Sequence, residues 1–348
     1  METLPTHTTS LFAEAVERAS LLLSKGGVVA LPTETVYGLA ANALDDQAVA
    51  KIYEIKSRPA RNPIIVHVAG SDMAKSCVST WPAAAEKLAL AFWPGPLTLV
   101  LPRASSIPDI VTAGGDTVGI RWASHPFMQA VILKCGFPLA APSANPSGCV
   151  SPTTAAHVRA QLGERLQLIV DGGQSQVGIE STVVDLTQDP PKILRPGMIH
   201  EESLAAAMGG VAFSNHESVG DERFRSPGQL ASHYAPKARL RVLEWSDDRD
   251  LLSQLSDLDT PLSRCHVIAH NHIPCGCGFG RVSVIPHDAE AYARALYAEL
   301  HQCDAAGAEL IVVESLPDAP SWRGVNDRLR RASAKVLEPK SYQSVEAC

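Results

Sequence analysis

LIVDGGQSQVGIESTVVDLTQDPPKILR, residues 168–195, places three apolar runs within 28 residues. Leu168–Asp171, Thr182–Leu186 and Ile193–Arg195 read as strands. Parallel neighbours need a crossover of about a dozen residues or more. Strands this close therefore require hairpin or meander connections. Upstream, helix and strand patterns alternate. Ser10 is positioned to cap a helix to about Lys25, ended by Gly26-Gly27, and Val28–Leu31 is a buried strand. Asp45 or Asp46 caps a helix through Ile55, and Pro63–Val68 is a strand. A helix covers Ala83–Phe92. Leu97–Leu101 and Thr117–Arg121 are strands, Pro126–Lys134 a helix and Pro138–Ala141 a strand. Ser151-Pro152-Thr153 reads as a helix start, with Pro at the first helical position. The fold class is α/β, and the first domain is a twisted mixed sheet with flanking helices.

Residues 209–238 are polar, contain Gly and Ser and lack periodicity, which marks a linker. Beyond it a second alternation begins. Leu240–Leu243, His266–Ala269, Val282–Ile285 and Glu309–Val313 are strands. Asp247–Leu255, Asp288 to about Ala306 and Gly324 to about Val336 are helices. This pattern predicts a smaller, Rossmann-like parallel α/β domain. The expected organisation is a catalytic domain over 1–208, a linker over 209–238 and a second domain over 239–348.

The chain has 348 residues, which at about 150 residues per domain suggests two. Residues 1–200 hold 15 Lys+Arg against 16 Asp+Glu, and residues 201–348 hold 15 against 21. Neither part is a broadly basic nucleic-acid binder. Eight scattered cysteines suit a reduced compartment rather than a disulfide framework. METLPTHTTS lacks the signal-peptide pattern, and no apolar run approaches the ~18 residues that span a membrane, so a cytoplasmic protein without a membrane partner is expected. P-loop, Gly-x-Ser-x-Gly, His-Glu-x-x-His and dinucleotide fingerprints are all absent. His266, His270, His272, Cys275 and Cys277 are soft ligands at short spacing that could hold zinc, or simply part of a Gly-rich loop.

Four segments place polar residues at strand ends or turns, where sites tend to form. Pro32–Leu39, PTETVYGL, offers hydroxyls to a small ligand, or caps a turn. Lys56-Ser57-Arg58-Pro59-Ala60-Arg61-Asn62 brings three cations to a helix end, where they complement the helix dipole or bind phosphate. His67, in PIIVHV, is a core histidine or a ligand. Arg121 ends an apolar strand and must be paired, by a structural carboxylate or a substrate one. Ala140–Gly148, AAPSANPSG, supplies small residues with Ser143 and Asn145, or forms an Asn-Pro turn.

In order, PTETVYGL, KSRP with a downstream Asn, TVGIR, PSANPSG, GIESTVVD and ILRPG resemble the YrdC-like family, in its two-domain threonylcarbamoyl-AMP synthase form. Ser226-Pro227-Gly228 and His233-Tyr234-Ala235-Pro236-Lys237 look like that form's linker, and the helix start Trp322–Leu329 like its second domain. The resemblance implies synthesis of L-threonylcarbamoyladenylate and pyrophosphate from L-threonine, bicarbonate and ATP. A partner tRNA threonylcarbamoyl transferase complex then modifies the adenosine beside the anticodon, so tRNA is an indirect partner. It implies Lys56, Arg58, Ser143 and Asn145 as a catalytic tetrad. Thr35, His67, Arg121, Ala141 and Ser181 would bind threonine. Arg58, Asn62, Thr117, Ser143, Ser151, Arg195 and Tyr234 would bind ATP, with Mg2+ on the phosphates and no metal ligands from side chains. The linker carrying Tyr234 would be a lid. The competing readings are a non-catalytic RNA-binding module, a carbamoyl-adenylate enzyme of hydrogenase maturation, and a plain ATP-dependent ligase or kinase.

Overall fold

The structure is a computed structural model that describes residues 1–214, 226, 233–256 and 259–334. Much of the linker and the end expected for the last helix, at 335–336, lie outside the described residues.

The first part runs β1 (Glu2–Pro5), α1 (Thr9–Ser24), β2 (Val29–Leu31), β3 (Gly38–Asn42), α2 (Asp46–Lys56), β4 (Val66–His67), α3 (Ser71–Ser76), α4 (Ala83–Phe92), β5 (Leu97–Pro102), β6 (Thr117–Arg121), α5 (Pro126–Cys135), β7 (Leu139–Ala140), α6 (Ala155–Leu162), β8 (Leu168–Asp171), β9 (Thr182–Asp185), β10 (Lys192–Arg195) and α7 (Glu201–Ala207). Its strands form one mixed sheet in the order β1-β8-β2-β3-β7-β4-β6-β5-β9-β10. β9 and β10 are the antiparallel hairpin that their spacing demanded, but β8 makes no hairpin with β9; it lies between β1 and β2, parallel to both, at the other end of the sheet. Apolar clusters cover both faces of the sheet, one involving α2 and α4, the other α1 and α5.

Local chemistry explains most boundaries. Asp45 caps α2 by accepting from the Gln47 and Ala48 amides, and Gly136 ends α5 in the left-handed region. Three expectations change. Thr8, not Ser10, caps α1, accepting from the Leu11 amide. Ser151 does not start α6; Thr154 does, accepting from the His157 amide. The Ser151 hydroxyl is taken by Glu180, and the Pro152 and Thr153 carbonyls accept from Tyr37 and Ser175, which holds the segment extended. The PIIVHV strand shrinks to Val66–His67. β1, β3, α3 and α7 were not expected. GLAAN has no β-branched residue, and β3 exists because β2 and β7 flank it.

The second part holds β11 (Arg239–Leu243), α8 (Asp248–Leu255), β12 (Cys265–Ala269), β13 (Arg281–Val284), α9 (Ala289–Ala305), β14 (Leu310–Glu314) and α10 (Arg323–Ser333). All its strands are parallel, in the order β11-β14-β12-β13. The two parts share a core. Val36, Val150, Ile179 and Tyr234 pack in one cluster with Tyr292, Leu296, Tyr297, Val325 and Leu329. His157 stacks on His301 across the same junction, with ring centroids 4.0 Å apart. Among the described residues no group of three His, Cys, Asp or Glu side chains is placed to hold a metal. His270 and His272 instead donate their backbone amides to Glu314, and His270 faces His287.

Gly178 marks how close the parts come. It has φ +85°, and a Cβ there would sit 2.4 Å from the Ala293 carbonyl oxygen and the Arg294 Cα of α9. Gly178→Ala is expected to cost about 1–3 kcal/mol through overpacking and backbone strain. A urea midpoint unchanged from wild type would show that this contact does not matter.

Candidate active site

The polar segments converge on a cleft between the sheet's first part and the stretch that enters the second. β2 delivers Thr33 to Val36, β4 delivers His67, β6 ends on Arg121, and β7 leads to Ala141–Ser143. Arg58 follows α2, Glu180 precedes β9, and Arg195 ends β10. His233 and Tyr234 also line it, and the free volume is only ≈50 Å³.

At one wall the Arg121 NH1 donates to Thr35 Oγ1 at 2.9 Å, and its NH2 pairs with Glu34 Oε1 at 2.7 Å. Of the two partners posed for Arg121, the structural carboxylate is present as Glu34, and the side chain also lines the cavity. His67 lies beside it, 3% exposed, with no protein partner for Nδ1 among the described residues. Burial, and then the Arg121 charge, lower its pKa from 6.5 to about 3. It is therefore neutral at physiological pH.

At the other wall Arg58 donates to the Asn62 and Pro63 carbonyls at 3.0 and 2.6 Å, and burial lowers its pKa to about 10. Arg195 donates through Nε and NH2 to the carbonyl and hydroxyl of Ser181, both at 3.0 Å. The Ser181 hydroxyl also meets Thr98 Oγ1 at 2.8 Å. Three arginines against one lining carboxylate, Glu180, make a cavity that suits an anion.

Of the residues picked from the sequence, Thr35, Arg58, His67, Arg121, Ala141, Ser143, Arg195 and Tyr234 line the cavity. Lys56, Asn62, Thr117, Asn145, Ser151 and Ser181 do not. Lys56 is fully buried and turns its ammonium onto the Ser143 and Asn145 carbonyls. Burial and the nearby Arg58 push its pKa well down. Its side chain is spent on the PSANPSG loop, whose carbonyls satisfy the desolvated amine. Asn145 braces the same loop by donating to the Pro146 and Cys149 carbonyls. Asn62 is buried with neither side-chain amide atom paired among the described residues, and Thr117 sits at the far end of β6, opposite Pro102. The residues that the sequence reading passed over are Glu34, Glu180 and His233. Each is a polar side chain inside a motif already singled out, and that was the available signal.

Tyr234 is 1% exposed and has φ +62°, a strained backbone for a tyrosine. Its neighbours impose this conformation. His233 N donates to the Arg331 carbonyl, and Ala235 N to that of Gly148.

Residues 21–197 match the Sua5/YciO/YrdC family model, described as telomere recombination. Residues 199–334 match the model described as threonylcarbamoyl-AMP synthase, C-terminal domain. The threonylcarbamoyl-AMP synthase of Pyrococcus abyssi (strain GE5 / Orsay) is 38% identical over 321 residues, covering 90% of this chain and 93% of that one. That of Bacillus subtilis (strain 168) is 39% identical over 327 residues, covering 91% and 92%. The chain belongs to the threonylcarbamoyl-AMP synthase family. This makes it an enzyme of nucleotidyltransferase type. The crystal structure of P. abyssi Sua5 complexed with L-threonine shares the fold of both parts, with a TM-score of 0.85 at 35% identity over 95% of this chain and 96% of that one.

The neutral histidines set a pH dependence. His67 and His233 both fall to about 3, chiefly through burial. Below about pH 6.5 the unfolded chain takes up protons that the folded chain refuses. Stability is therefore full above pH 6.5 and falls as pH drops towards 3, with each group adding at most about 1.4 kcal/mol per pH unit. Urea midpoints at pH 7, 6 and 5 should decline, and less steeply in His233→Asn. An equal slope in the variant would contradict the assignment.

Proposed function

We propose that this chain makes L-threonylcarbamoyladenylate and pyrophosphate from L-threonine, bicarbonate or CO2, and ATP. The observation that carries the reading is a single cavity with two differently built walls. Arg121, Thr35 and neutral His67 suit an amino acid's carboxylate and hydroxyl, and Arg58 with Arg195 suits phosphates. The product would pass to a tRNA threonylcarbamoyl transferase complex, with tRNA as the indirect beneficiary and the cytoplasm as the setting.

The chemistry needs positioning more than a nucleophilic side chain. The neutral amine of threonine attacks CO2, forms the N–C bond and releases a proton, giving a carbamate. A carbamate oxygen then attacks the α-phosphorus of ATP, the bond to the bridging oxygen breaks, and pyrophosphate leaves. Arg121 would hold the threonine carboxylate. Arg58 and Arg195 would stabilise charge on the phosphates. Lys56 would shape the Ser143–Asn145 loop rather than touch phosphate, a different task from the one the resemblance implies. Mg2+ carried on the phosphates would supply further neutralisation. The only carboxylate among the described lining residues, Glu180, is engaged by Ser151, Tyr297 and Arg328, which fits a metal held by the phosphates rather than by a side chain.

A carbamate decomposes in water, so the site must close. Binding pockets for compact ligands occupy about 300–1,000 Å³, far more than the ≈50 Å³ left beneath His233 and Tyr234. The segment bearing them must therefore lift for ATP to enter and close again for chemistry, as a lid does.

Pyrophosphate release should require threonine and bicarbonate together with ATP, and drop to background when either is omitted. ADP as the nucleotide product would sink this reading. Arg121→Ala should weaken threonine use by roughly ten- to a hundredfold, the equivalent of a lost charge-assisted bond, while ATP binding is retained. Unchanged threonine dependence would remove Arg121 from the carboxylate site.

A further inference from the structure

Arg328 belongs to α10 of the second domain, yet its side chain is fully buried against the first. Its Nε donates to Glu180 Oε2 at 2.8 Å and its NH2 to the Glu180 carbonyl at 3.0 Å. Its NH1 donates to the Pro196 carbonyl at 2.7 Å. Tyr297, also of the second domain, donates to the same carboxylate oxygen at 3.0 Å. The other oxygen accepts from Ser151 Oγ at 2.6 Å. Arg328 therefore grips the residue before Ser181 and the residue after Arg195, the two partners whose bonds form the phosphate wall. Its guanidinium also stands 5.4 Å from the centre of the Tyr234 ring.

Glu180 is a carboxylate on the wall of an anion site. Left alone it would repel a triphosphate and draw Arg195, whose charge it already feels. We propose that Arg328 is a positioning residue for the ATP subsite. It neutralises and anchors Glu180, so that Arg195 stays aimed into the cavity. The second domain thereby completes the site without lining it. This rests on the reading above that the cavity takes ATP.

The test uses the full chain and steady-state pyrophosphate release at varied ATP and varied threonine. Arg328→Met should raise KM for ATP about tenfold or more, as expected when one partner of a buried pair is removed, with KM for threonine changing less than about threefold. Adding Glu180→Gln to Arg328→Met removes both charges and should bring KM for ATP back to within about threefold of wild type. A purely structural arginine would instead lower the fraction of folded enzyme and leave both KM values alone. Should Arg328→Met fail to fold, Arg328→Gln, which keeps hydrogen bonding without charge, takes its place in the same cycle. An unchanged KM for ATP in the neutral variant, or a double variant no better than the single, overturns the proposal. An active wild type with an unaffected variant defeats only the role of Arg328. A wild type that neither binds ATP nor releases pyrophosphate defeats the ATP reading itself.

Discussion

The buried carboxylate of Glu180 is the group on which the architecture turns. It is 6% exposed, and burial by itself would raise its pKa. The charges of Arg328 and Arg195, with hydrogen bonds from Ser151 and Arg328, outweigh that and hold it down at about 2. A desolvated charge persists only when its lone pairs are filled and a counter-charge is near. Here the donors come from three distant parts of the chain, so meeting that requirement ties the two domains and the Ser181–Arg195 wall of the cavity into one unit.

The same logic governs the cations. Arg58, Arg121 and Arg195 are all buried, and each spends some of its donors on carbonyls, hydroxyls or a carboxylate. All three line the cavity. Lys56 instead turns onto the Ser143 and Asn145 carbonyls behind the cavity and does not line it. The result is a preorganised anion pocket whose loop geometry is set from behind. Tyr234, which lines the pocket, is held at positive φ by its neighbours' backbone bonds, His233 N to the Arg331 carbonyl and Ala235 N to that of Gly148.

Much of this was legible beforehand. Helices at Ala83–Phe92, Pro126–Cys135 and Ala289–Ala305 follow from periodicity, Pro at the first position and the Asp288 cap. The spacing of residues 168–195 demanded a mixed sheet, and the spacing of the second part a parallel one. β3 was hidden because GLAAN carries no strand signal of its own, and the false helix start at Ser151 arose because Ser-Pro is also what an extended, side-chain-anchored segment looks like.

The sequence alone determined which residue types stand at the strand ends, and in what order. Those are local properties, set by propensity, capping and the need to bury apolar side chains. Only the tertiary structure decided where each polar side chain points. It aimed Lys56 at a loop, gave Arg121 a carboxylate partner in Glu34, and paired Glu180 with an arginine 148 residues away. Such choices depend on desolvation and on partners supplied by distant segments, and no stretch of chain carries that information by itself.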